Sequence, residues 1–125
     1  MPPADGDSMT SIKRFPGSVA GRSSAVAYDG LVFTVATADT YELDMRKQAA
    51  EALANLDTQL ALAGTDKSRL LSCTVYITDM ALKPQMNEVW DQWVDMANPP
   101  QRACIGAALE DGDLIEIVAV ASTKE

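Results

Sequence analysis

The 125-residue sequence contains no histidine. That removes the commonest general base near neutral pH and the commonest metal ligand, so Ser-His-Asp catalysis, Cys-His catalysis and histidine-based metal centres are all excluded. Cations are scarce as well: 10 Lys and Arg stand against 18 Asp and Glu, for a net charge of -8. Nucleic acids and anionic membranes are held by clustered Lys and Arg, so neither is an expected partner. Cysteine is limited to Cys73 and Cys104, each inside an apolar run. They read as two buried, reduced thiols rather than a disulfide, which suits a cytoplasmic protein. No apolar run is long enough to cross a bilayer, and the N-terminus lacks the apolar core of a signal peptide. Gly-rich phosphate loops, dinucleotide fingerprints and CxxC pairs are also missing. No metal or cofactor is expected.

The residues that are present describe one ordinary globular domain, 47% hydrophobic and 22% charged. Residues 1–11 are polar and rich in Pro and Gly; they are expected to be a disordered leader, with Met9 a candidate natural start, leaving a single domain over 12–125. Ala25–Tyr28 and Leu31–Val35 flank Asp29-Gly30, which predicts a hairpin with a two-residue type I′ turn; a short strand near Ile12–Phe15 can join it. Ala49, Leu53, Leu56, Leu60 and Ala63 recur at helical spacing and predict a helix over 44–63, with Asp44 as N-cap and Gly64 just past its end. Leu70–Thr78 alternates as a strand with Cys73 on its apolar face. Met86, Trp90, Trp93 and Ala97 share a stripe that predicts a second helix over 82–97, its Trp pair reading as core. Arg102–Leu109 and Leu114–Ser122 then predict two closing strands joined at Glu110-Asp111-Gly112-Asp113 as a hairpin. The order β-β-α-β-α-β-β predicts an α+β domain with both helices on one face of the sheet and the other face in need of cover.

Two charges stand out in this apolar C-terminal region. Arg102 heads one strand and Glu116 sits within the next. Unpartnered charges are costly to bury, so such residues are paired or functional. On the residues alone, a structural reading (an Arg–Glu ion pair holding the hairpin, or an edge strand with Glu116 facing water) and a ligand site are equally good.

The stretch PPQRACIGAALEDGDLIEIVAVAS resembles the C-terminal signature of the Rid family, also called YjgF or "endoribonuclease L-PSP" proteins. Leu31-Val32-Phe33-Thr34, the segment QAAEALANLDTQLALAGTDKSRLLSCTVYITDM and Met86-Asn87-Glu88-Val89-Trp90 resemble other parts of that family in the same order, over about residues 20–122. The resemblance implies a chorismate-mutase-like fold with a mixed sheet, and a homotrimer around a central barrel with sites between subunits. It also implies cofactor-free hydrolysis of enamine/imine intermediates such as 2-aminoacrylate and 2-iminopropionate to 2-oxo acids and ammonia. Arg102 matches the arginine that grips the substrate carboxylate, and Glu116 the glutamate that positions or activates water. Cys104, Asn87 and Trp90 fall in the implied substrate-binding set. Ser23 stands where tyrosine is common, Val35 where serine is common and Ala36 where glycine is usual, so one pocket wall is remodelled. A pathway-specific deaminase for an aminomuconate-like acid, or a non-catalytic binder of small carboxylates, fits the same anchor. The ribonuclease label fits poorly with zero histidines and a charge of -8.

Strand parity tests the pairing of the two charges. A two-residue Asp111-Gly112 hairpin would set Glu116 opposite Ala107, on the face away from Arg102. A one-residue shift would set it opposite Gly106, four positions and about 13 Å from Arg102 along the strand. The shifted register is the prediction; with Glu116 on the Ala107 face it would drop out of the mechanism unless a neighbouring subunit supplied it.

Overall fold

The computed structural model describes residues 11–124. Apart from Ser11, the expected leader lies outside them. Strands β1 (Lys13–Pro16), β2 (Ser23–Tyr28) and β3 (Leu31–Thr37) precede helix α1 (Met45–Leu62). Strand β4 (Leu70–Ile77), helix α2 (Lys83–Trp93), β5 (Gln101–Gly106) and β6 (Ile115–Ser122) follow, with single 3-10 turns at Lys67–Arg69 and Met80–Leu82. The six strands form one mixed sheet in the order β1-β2-β3-β6-β4-β5.

Local chemistry sets the early elements. Asp29 and Gly30 take φ of 52° and 80°, the left-handed pair that a type I′ turn requires, and Tyr28 pairs with Leu31 to close the hairpin. Asp44 caps α1 by accepting the Lys47 N–H at 3.2 Å. Gly64, at φ 81°, follows the last turn as expected. Met45, Gln48, Ala49, Ala52, Leu53, Leu56 and Leu60 form the buried side of α1. Helix α2 starts with Pro84 in its first turn but stops at Trp93, four residues before the predicted end. There Val94 turns extended, and the Asp95 carboxylate accepts the Ala97 N–H at 3.0 Å, giving the backbone a non-helical partner. Ala97 is therefore exposed and off the predicted stripe.

The predicted β5–β6 hairpin does not form. β5 instead pairs in parallel with β4, and β6 lies antiparallel between β3 and β4. Glu110 to Asp113 still makes a turn, closed by the Asp113 N–H on the Glu110 carbonyl at 3.0 Å, but the chain it reverses crosses the end of β4. Burial explains the choice. Every residue of β6 is at least half-buried, so it belongs in the sheet interior with both edges paired. β5 alternates between exposed and half-buried positions and follows Pro99-Pro100, as an edge strand does. The unit β4-α2-β5 is thus a parallel crossover.

One face of the sheet carries Val32, Ala36, Cys73, Val75, Ile77, Ile115, Ile117, Ala119 and Ala121, which join the α1 and α2 side chains in one core. The other face leaves Tyr28, Phe33, Val35, Leu71 and Ile105 between 44% and 50% exposed.

Candidate functional site

Arg102 pairs with Cys73, which pairs with Ala119, so its side chain rises on the helix side of the sheet. Glu116 pairs with Tyr76, which pairs with Ile105, so it projects from the open face. The two charges are separated by β4 and point to opposite faces. The shifted register that would have joined them within one chain is corrected by the parallel β4–β5 pairing, and a structural Arg102–Glu116 ion pair within the chain is ruled out by the same geometry.

The expected site residues fall into two groups. In the first, Arg102 Cζ lies 5.2 Å from the centre of the Trp90 ring, and its Nη1 is 3.9 Å from Met86 Sδ. Among the described residues no carboxylate pairs with this guanidinium. Trp90 is only 7% exposed and Met86 1%, so both lie beneath the cation rather than beside open solvent. Asn87 follows on the same helix, and its buried Oδ1 has no hydrogen-bond partner. Cys104 is half-buried two residues beyond Arg102.

In the second group, Ser23, Val35 and Glu116 line a cavity of about 650 Å³ at the other face and its adjoining loops. Arg22, Asp39, Asn55, Gln59, Glu110 and Asp113 complete its polar wall. Burial and the neighbouring Glu110 hold the Asp113 carboxyl above its ordinary range. Gln59 Nε2 donates to the Val35 carbonyl at 2.8 Å and to Thr34 Oγ1, fixing the strand that carries Val35. Asn55 does the same for the end of β3, donating to the Thr37 carbonyl at 2.8 Å. Ala36 does not reach this cavity; it is 1% exposed and belongs to the core. Its neighbours Val35 and Thr37 point the other way, as strand alternation requires.

Sequence reasoning missed Arg22, Asn55 and Gln59. Arg22 gave no signal, since it sits in a polar turn. Asn55 and Gln59 gave a weak one: they are amides beside the apolar stripe of α1, where an unpartnered amide would be costly.

Both thiols are expected to be buried; Cys73 is, but Cys104 is only half-buried. Cys73 is 1% exposed, and burial pushes its thiol up to about 12 against the opposing charge of Arg102. A folded pKa above the unfolded one means that the native state holds this proton longer. The Cys73 contribution to stability is therefore complete below about pH 9 and is lost progressively as pH rises towards 12. In a thiol-reagent titration at pH 8, Cys104 is expected to react in the native protein and Cys73 only after unfolding. Equal native reactivity would contradict this.

Fold and site together define a chorismate-mutase-like α+β protein, with two helices on one face of a six-stranded mixed sheet and a charged edge strand. The chain belongs to the family described as Endoribonuclease L-PSP, the YjgF/Rid proteins, whose sequence model matches residues 12–123. It is 40% identical over 107 residues to a RutC family protein of Haemophilus ducreyi, covering 83% of this chain and 92% of that one. It is 29% identical over 87 residues to the RutC family protein YoaB of Escherichia coli, covering 70% and 76%. The crystal structure of a YjgF-family protein from Neisseria meningitidis superimposes with a TM-score of 0.88 at 32% identity, covering 94% of this chain and 98% of the other. Among the described residues, no helix is long and apolar enough to cross a membrane.

Proposed function

We propose that this protein hydrolyses small enamine/imine acids of the 2-aminoacrylate/2-iminopropionate type. The observation that carries the reading is Arg102. It is a permanent cation at a sheet edge with no carboxylate partner among the described residues, its Nη1 meeting only the Met86 thioether, a weak acceptor that a ligand carboxylate outcompetes. A guanidinium fork matches a carboxylate with two parallel hydrogen bonds. With the substrate carboxylate held there, water adds to the electrophilic imine carbon and gives a carbinolamine. Glu116 takes a proton from the water, and the nitrogen leaves as ammonia once protonated. The balance is 2-iminopropionate plus water giving pyruvate plus ammonia, with no redox change.

Arg102 and Glu116 face opposite sides of one sheet, so this chemistry needs two subunits. The edge strand of one copy would meet the open face of the next in a homotrimer. The exposed Tyr28, Phe33, Val35, Leu71 and Ile105 support such an assembly, since an apolar face of this kind is normally covered. Binding of small carboxylates without turnover is the second reading, and it too rests on the unpaired Arg102.

The test generates 2-iminopropionate in situ with an amino-acid oxidase and follows its loss, while light scattering measures the mass. Acceleration by a species about three times the 13.4 kDa chain is expected. Glu116→Gln should lower kcat by about 100-fold, the usual scale for a lost general base. Carboxylate binding with no acceleration would select the second reading. A fully active monomer would rule out the shared site.

A further inference from the structure

We propose that Trp90 is the positioning residue of Arg102: its indole face holds the guanidinium as a cation while leaving the N–H edge free for a ligand carboxylate. The inference rests on the carboxylate-anchoring role given to Arg102 above.

An arginine side chain has several rotatable bonds and must be held somewhere to act as an anchor. The usual holder is a carboxylate, which would occupy the N–H groups that a ligand needs. Here the supports are the Trp90 ring, 5.2 Å from Cζ, and the Met86 thioether, 3.9 Å from Nη1. An aromatic face attracts the cation through its quadrupole, and a thioether is only a weak acceptor. Neither neutralises the charge or uses the donors strongly.

The ring is itself fixed. Trp90 lies 5.5 Å from Trp93, centre to centre, at an angle of 51°. Trp93 Nε1 donates to Asp57 Oδ2 on α1 at 2.9 Å. Lys67 Nζ lies 5.1 Å from the Trp93 ring centre and donates to the Trp93 carbonyl at 2.7 Å. The row Lys67, Trp93, Trp90, Arg102 therefore ties the edge-strand cation to α1 and to the turn before β4. Ordering a long side chain in advance lowers the cost of binding.

The experiment compares wild type with Trp90→Leu and Trp90→Phe. Benzoate and pyruvate binding are measured by calorimetry, steady-state kinetics are run on 2-iminopropionate, and a thermal melt accompanies each protein. Trp90→Leu should raise Kd and KM about tenfold with kcat within about twofold, the scale of one desolvated cation–π contact. Trp90→Phe keeps a π face and should recover most of the loss. If Trp90→Leu fails to fold, Trp90→Phe still decides, with a threefold rise in Kd at an unchanged melting temperature expected. Wild-type Trp emission should also shift on benzoate addition. Unchanged Kd in a folded Trp90→Leu overturns the inference, as does an unchanged Kd in Trp90→Phe if that is the variant that folds. Loss of kcat in step with thermal stability at constant KM overturns it too. Because benzoate affinity is read without turnover, a wild type that binds but does not hydrolyse would end the deaminase reading and leave this test intact.

Discussion

Arg102→Ala is expected to lower kcat/KM for 2-iminopropionate by roughly 100-fold or more, which corresponds to about 2.7 kcal/mol of lost transition-state binding. Charge-assisted bidentate contacts in a partly desolvated site sit at the strong end of hydrogen bonding, and truncating one member of such a pair typically costs about 2–5 kcal/mol. The fold should survive the change. Arg102 lies on the edge strand, is only half-buried and has no carboxylate partner among the described residues to be left uncompensated. Arg102→Lys keeps the charge but loses the planar fork and the stacking on Trp90, so a smaller defect of about tenfold is expected. Benzoate affinity should fall in the same order, wild type, lysine, alanine. Equal acceleration by wild type and Arg102→Ala would remove the proposed function outright, since the imine loss would then be independent of the only anchor in the scheme.

How much of this could be read from residues alone depends on how local the cause is. Asp44, Gly64 and Asp29-Gly30 act over three or four residues, and each does in the fold what its type predicts. Alternation in β4 placed Cys73 in the core for the same reason. The pairing of β5 was not legible that way. Asp111-Gly112 makes a turn wherever the next strand goes, and the choice of β4 over β6 as partner is decided by which strand buries more surface in the middle of the sheet. That error carried through to the site. Parity arguments hold only between true neighbours, so the expected meeting of Arg102 and Glu116 within one chain failed with the pairing. The cavity wall was illegible for a similar reason: Arg22, Asp39, Asn55 and Glu110 come from separate loops and one helix face, and only the folded chain brings them together.

Gln48→Leu should be the most damaging single substitution away from Arg102, with a loss of about 3–5 kcal/mol. Gln48 is polar, fully buried and set among the apolar residues of α1. Its Nε2 donates to the carbonyls of Glu42 and Gly112, each at 2.8 Å. Its Oε1 accepts the Leu114 N–H at 2.8 Å. One amide thus satisfies three backbone groups from two separated segments: the loop entering α1 and the turn between β5 and β6. Leucine fills the same space and satisfies none of them, and each buried group left unpaired costs about 1–3 kcal/mol. The melting temperature should drop by roughly 12–20 °C, at about 4 °C per kcal/mol for a domain of this size. Gln48→Glu separates hydrogen bonding from volume. It keeps an acceptor for Leu114 but sets a carboxylate against two carbonyls, so it should be no more stable than the leucine variant. The same amide also holds the cavity wall. Asp39 lies just before the Glu42 loop segment, and Glu110 and Asp113 flank Gly112, itself fixed at φ 90° against the Tyr41 ring. Where Gln48→Leu remains folded, kcat should therefore fall further than the loss of folded protein accounts for. A melt shifted by less than about 4 °C would show that water or a rearranged loop replaces the three bonds, and the two segments would then not depend on Gln48.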